Sequence, residues 1–239
     1  MNRTEELIEI YFKRYIHFLI LKKLLEGRKI MTIKEVASPI DLRKAADALE
    51  WAEEVNVKRP WRYEFFSMYV AEIKSLNIKK TKILEIGAGP GYLAKILLEN
   101  IESLEYTALD FSEAMHELSR KNLGSFASKA NYLTANFKDS GWYNVCQQET
   151  FDVVIIHQAL HELRHKDFAK EFHMRVRNHL LNTNSLYIVT DHIVKNEEGM
   201  KNKDLYMTID EHINTFSLAG FKNIQLLKEK NALCSFKAS

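Results

Sequence analysis

Residues 81–94 read Thr-Lys-Ile-Leu-Glu-Ile-Gly-Ala-Gly-Pro-Gly-Tyr-Leu-Ala. Ile83, Leu84 and Ile86 make a short apolar run of the kind a buried strand carries, and glycines follow at 87, 89 and 91. Leu93, Ile96 and Leu97 then recur at helical spacing. A strand that passes through alternating glycines into a helix sets bare backbone N–H groups and a helix N-terminus beside a polar ligand. Glycine suits such a turn because a Cβ would hold the ligand off, and because the turn often needs positive φ. The spacing is G-x-G-x-G after an acid, Glu85. A dinucleotide loop asks for G-x-G-x-x-G, and Tyr92 occupies its third glycine position.

Further along the chain the alternation of strand and helix continues. Leu104–Asp110 reads as a second strand ending in an acid, nineteen residues after Gly91. Ser112 is placed to cap a helix through Asn122, with Glu113 adding negative charge to its first turn. Tyr132–Ala135 reads as a third strand and Phe151–His157 as a fourth, an unbroken apolar run typical of a sheet covered on both faces. Leu186–Asp191 is the fifth. After a helix near Thr208–Leu218, Ala219-Gly220-Phe221 turns into Asn223–Leu227, and Ala232–Phe236 closes the chain.

This succession resembles the class I S-adenosylmethionine-dependent methyltransferases of the small-molecule type, over residues 80–239. The resemblance implies a Rossmann-like α/β fold, a seven-stranded, mostly parallel sheet with an antiparallel last strand. It implies S-adenosylmethionine as cofactor and S-adenosylhomocysteine as product. By the same resemblance Glu85, Gly87, Ala88, Gly89 and Gly91 form the cofactor loop, and Asp110 grips the ribose hydroxyls, since a carboxylate accepts two hydrogen bonds at once. Phe111 would flank the adenine, and Asn136 and Phe137 would surround it. The family more often has Asp than Asn at that position, but an amide also carries the donor and acceptor an adenine edge needs.

Composition fits an ordinary soluble enzyme. The chain has 239 residues, 46% of them hydrophobic, enough for one sizeable core and an appendage. A net charge of +2 without a basic stripe gives no nucleic-acid footprint. Cys146 and Cys234 lack metal-like spacing and read as reduced thiols, which suits the cytoplasm. No signal peptide is evident, and the longest apolar run, Tyr15–Leu21, is too short to span a bilayer.

Residues 1–79 lie outside the nucleotide-binding pattern. Helices are expected over Glu5–Glu26, Leu42–Val55 and Trp61–Leu76, with Arg59-Pro60 breaking the last two. Two readings are open: a lid that walls the substrate pocket, or helices that pack on the sheet or on a second subunit of a homodimer. In the lid reading the Trp61–Phe66 segment, with Trp61 and Tyr63 as substrate contacts, lies nearest the methyl group, because it feeds into the first strand. The segment 195–207 is a further candidate wall.

Ligands of open α/β sheets bind at the carboxyl ends of the strands. His157, Gln158, His161, Glu162, Asp191 and His192 therefore gather where a methyl group would be transferred. His161, His157 and His192 are the candidate catalytic bases, with Gln158, Glu162 and Asp191 contacting substrate. Gln158–Leu163 resembles the Leu-His-His or Leu-His-Glu stretch of many small-molecule methyltransferases, where a histidine takes a proton from a hydroxyl, phenol or amine. Residues 161–165 also match H-E-x-x-H, the zinc-protease signature, but Phe168 and Glu171 replace the Gly and His of its extended form. A metal held by His157, Asp191 and His192 is an alternative to the metal-free reading. The expected activity is methyl transfer to O or N of a small molecule. Other uses of S-adenosylmethionine, such as cyclisation or decarboxylation, and a non-catalytic binding subunit remain open, and Tyr92 disfavours a dehydrogenase.

Overall fold

The computed structural model describes residues 33–194 and 203–239, so the helix expected over Glu5–Glu26 lies outside the described residues. Two helices come first, α1 (Ala45–Lys58) and α2 (Arg62–Ser75). Then alternate β1 (Thr81–Ile86), α3 (Tyr92–Asn100), β2 (Leu104–Asp110), α4 (Glu113–Leu123), β3 (Ala130–Thr134) and β4 (Phe151–His157). The chain ends with α5 (Ala169–His179), β5 (Leu181–His192), α6 (Ile209–Leu218), β6 (Ile224–Lys230) and β7 (Leu233–Ala238).

The seven strands lie in the order β3-β2-β1-β4-β5-β7-β6. Strands β1 to β5 pair in parallel, and β7 runs antiparallel to both β5 and β6. This is the Rossmann-like arrangement expected from the sequence. Strand order reverses between β1 and β4, which opens a crevice at their carboxyl ends, beside the glycine turn.

The unbroken apolar run of β4 follows from its central place. Side chains alternate across a strand, so Val153 and Ile155 join one core cluster while Val154 and Ile156 join the other. Phe65, Phe66, Tyr69 and Ile73 of α2 pack with the first, and Phe172 and Val176 of α5 with the second. Each such buried side chain contributes about 1.5–3 kcal/mol. α2 thus shares the core of the sheet, and Glu35–Ser239 form one compact unit.

Local signals mostly act where they stand. Ser112 accepts from the Met115 N–H, and Thr208 with Glu211 closes a capping box at α6. β5 begins earlier than its apolar core, because a register shift lets Leu181 pair with Phe151. Among the described residues no helix is long and apolar enough to cross a membrane.

Candidate functional site

A cavity of about 420 Å³ opens at the carboxyl ends of β1, β2, β4 and β5. Its floor is the glycine turn. A Cβ on Gly87 would overlap Ala159, and one on Gly91 would overlap Ser119, whereas one on Gly89 meets nothing within 4 Å. Gly87 and Gly91 therefore serve packing of the turn, and Gly89 is the residue that bares backbone to the cavity. Asp110, at the tip of β2, accepts from the Gly89 N–H (2.8 Å) and the Ser112 N–H (2.9 Å). Burial raises its pKa against those two bonds, and each oxygen keeps a second lone pair for a ligand hydroxyl. Ala88 and Phe111 also line this cavity. Asn136 lines an adjoining one of about 510 Å³, which shares Phe111 and Phe137 with the first. Its Oδ1 accepts from the Lys138 N–H (3.1 Å).

Glu85 also faces the cavity, but its Oε2 accepts from the Tyr106 hydroxyl (2.6 Å), and burial pushes its pKa up to about 8.

The opposite wall carries a histidine–carboxylate pair. Asp191, 2% exposed, takes the His161 Nδ1 proton on Oδ1 and the His161 backbone N–H on Oδ2, both at 2.7 Å. Its Oδ1 also accepts from the His192 backbone N–H at 2.7 Å. Burial alone would lower the His161 pKa, but the charge and hydrogen bond of Asp191 raise it, with help from Glu162. Asp191, despite burial, is held well below the usual carboxylate range by the same pair. With Nδ1 donating to Asp191, the lone pair of neutral His161 lies on Nε2, 3.4 Å from Glu162 Oε1. A proton taken there is stabilised by both carboxylates.

His157 and His192 are differently employed. His157 is buried, and burial followed by the charge of Arg62 drives its pKa well down. One tautomer satisfies a continuous line of bonds. Arg62 Nε donates to His157 Nε2 (3.5 Å), and Nδ1–H donates to the Tyr69 hydroxyl oxygen (2.8 Å). Tyr69 then donates to Thr190, and Thr190 to Ser235 (2.7 Å). His192 is held down to about 4, chiefly by burial, and its Nε2 accepts from the Gln158 amide (3.1 Å). Only His161 combines a raised pKa with an oriented ring. The alternative metal set does not converge, since the nitrogens of His157 and the oxygens of Asp191 are already engaged. Among the described residues no three His, Cys, Asp or Glu are disposed to hold a metal ion.

The H-E-x-x-H match dissolves in the same way. Leu160–Leu163 is a single 3-10 turn that ends at Arg164, whose φ is +65°. His161 and His165 therefore share no helical face.

Helix phase separates the residues of the Trp61–Phe66 segment. Arg62 and Phe66 line the cavity, whereas Tyr63 is 39% exposed and Trp61 packs against the sheet core. Residues four apart share a face, so choosing Arg62 and Phe66 excludes their neighbours. Gln158, Glu162 and His192 line the cavity, joined by Leu205 and Tyr206 from the candidate wall at 195–207, whereas Asp191, expected to contact substrate, is not among its lining residues. Arg164 went unmarked by the sequence: it donates from Nε to the Val36 carbonyl (2.8 Å) and from Nη2 to the Ala37 carbonyl (2.7 Å). With Ser112 donating to the Leu42 carbonyl, it fixes the 36–42 segment as a cavity wall.

Residues 83–180 match the family of methyltransferase domains. The matched stretch holds the glycine turn, Asp110 and His161. It is 19% identical over 208 residues to carboxy-S-adenosyl-L-methionine synthase of Nautilia profundicola, covering 77% of this chain and 88% of that one. A proposed O-methyltransferase of Nostoc punctiforme superposes with a TM-score of 0.63 at 17% identity, covering 90% of this chain and 64% of that one. The DhpI–S-adenosylhomocysteine complex superposes with a TM-score of 0.58 at 14% identity, covering 82% and 95%. The chain spans less than two thirds of the Nostoc protein, and about half of other structures it resembles, among them the CurJ carbon methyltransferase.

Proposed function

We propose that this protein is an S-adenosylmethionine-dependent methyltransferase acting on O or N of a small molecule, with His161 as general base. One observation carries the reading: Gly89 and Asp110 face the same cavity as a histidine oriented by a buried carboxylate. The bare Gly89 backbone and the spare lone pairs of Asp110 suit the nucleoside half of the cofactor, and Phe111, Asn136 and Phe137 suit its base. Arg62, beside Glu85, suits the amino-acid carboxylate. The bound cofactor supplies an electrophilic methyl group on a sulfonium. The chain aligns the acceptor, excludes water and removes a proton: His161 Nε2 takes it, and Asp191 and Glu162 stabilise the imidazolium.

The Nautilia relative favours a second reading, an enzyme of this fold that uses S-adenosylmethionine for other chemistry, because the likeness runs along most of both chains. Incubation with labelled S-adenosylmethionine and a metabolite extract separates the two. Equimolar S-adenosylhomocysteine and a product heavier by one methyl group support the first. Consumption of cofactor without a methylated product supports the second.

A further inference from the structure

The cavity holds two cations without a counter-charge. Among the described residues, neither Arg59 nor Arg62 forms an ion pair with an acid, although both line the cavity. Arg62 is 5% exposed, and its nearest polar partners, His157 Nε2 and Asn56 Oδ1, both stand at 3.5 Å. Its guanidinium otherwise faces the rings of Phe66, Tyr92 and Trp51 at 5.5–6.0 Å. Burial and then Arg59 bring its pKa down to about 10, so it stays charged at neutral pH.

The acids that face the same cavity do not neutralise this charge. Glu85 accepts from the Tyr106 hydroxyl, and burial pushes its pKa up to about 8. Asp110 is turned to Gly89 and Ser112, and Glu162 to Arg164. A cationic guanidinium in a partly desolvated cavity is costly until an anion meets it.

The cofactor brings one carboxylate, which leaves one of the two arginines to another anion. Arg62 lies beside Glu85 and His157, above β1 and β4, the end that suits the amino-acid group. Arg59 lines the same cavity as His161, His192 and Tyr206, and its charge also bears on the last two. Ring centroids of His161, His192 and Tyr206 lie 5.6–5.7 Å apart, so these three enclose the place where an acceptor meets the base. We infer that the methyl acceptor is a small carboxylic acid, its carboxylate paired with Arg59 while its O–H or N–H faces His161. One planar guanidinium matches one planar carboxylate in a two-pronged pair, whereas a dianionic phosphate would call for further cations. The inference rests on the methyltransferase reading and narrows it to a substrate class.

The test is a methyl-transfer screen on the intact protein with hydroxy and amino carboxylic acids, each paired with its neutral amide or methyl ester. Turnover is expected with acids and not with their neutral partners. For the best acid, Arg59→Gln should raise KM about ten- to a hundred-fold, with a smaller change in kcat, and Arg59→Lys should recover part of the loss. Calorimetry on protein saturated with S-adenosylhomocysteine should show the same loss of affinity for that acid. Affinity for S-adenosylhomocysteine itself should be unchanged in Arg59→Gln. Turnover of the neutral partners, an unchanged KM in Arg59→Gln, or a loss of S-adenosylhomocysteine affinity would each overturn the assignment. So would a methylated product from an extract while every acid in the panel stays inert, and there the methyltransferase reading would survive. Failure of the wild type to bind S-adenosylhomocysteine would instead overturn that underlying reading.

Discussion

Replacing Asp191 by Asn tests the proposed base most severely. Asp191 accepts three hydrogen bonds at 2.7 Å, from the His161 backbone, the His161 ring and the His192 backbone. Its charge opposes the burial that would otherwise lower the His161 pKa. In the wild type the rate should rise as His161 deprotonates, with an acid limb above its ordinary value of 6.5. Asn removes that charge while burial remains, so the limb should move to lower pH. His161→Ala should remove it altogether and slow turnover about 10²–10⁴-fold, or about 2.7–5.5 kcal/mol of barrier. Both variants should bind S-adenosylhomocysteine nearly as the wild type does. Stability has its own signs. The contribution of the raised His161 pKa is full below 6.5 and lost as pH rises through the folded value. That of the lowered Asp191 pKa is full above 3.8 and lost as pH falls through the folded value. The pair therefore stabilises most between 3.8 and 6.5, and urea titrations across that window should show Asp191→Asn most destabilised there. An acid limb that stays in place in Asp191→Asn, or His161→Ala within a few-fold of the wild-type rate, refutes the base assignment.

Asp110→Ala should lower S-adenosylhomocysteine affinity about ten- to a hundred-fold, the loss of about 1.5–3 kcal/mol of charge-assisted bonding, measured by calorimetry. The two glycine variants should part company: Gly89→Ala costs about 1–2 kcal/mol for its positive φ and should abolish cofactor binding in a folded protein. Gly91→Ala adds the overlap with Ser119 and should cost about 2–5 kcal/mol, visible as a lower Tm. Arg164→Ala should leave the sheet folded but speed amide hydrogen exchange across residues 36–42, since the Val36 and Ala37 carbonyls lose their donors.

The sheet was legible because its signals are local. An apolar run, a glycine turn, an acid at a strand tip and a capping serine each act within a few residues. The site was legible only as an inventory. His161, in the turn after β4, and Asp191, on β5, stand thirty residues apart, and nothing in either segment says that their side chains meet. Residue type favoured Trp61 and Tyr63, but the rotation of α2 hands the cavity to Arg62 and Phe66. The i, i+4 spacing of that pair was the available sign. Arg164 gave none, because its partners are backbone carbonyls of residues 36 and 37, which any sequence supplies.

The line from Arg62 through His157, Tyr69 and Thr190 to Ser235 joins α2, the middle of the sheet and the last strand. Its members span nearly the whole described chain, so they can change only in concert. A hybrid that borrows α2 from another enzyme must therefore import compatible residues at 157, 190 and 235 as well. The region above the cavity is grafted onto the far end of the chain, and specificity cannot be re-engineered there as though it were a detachable cap.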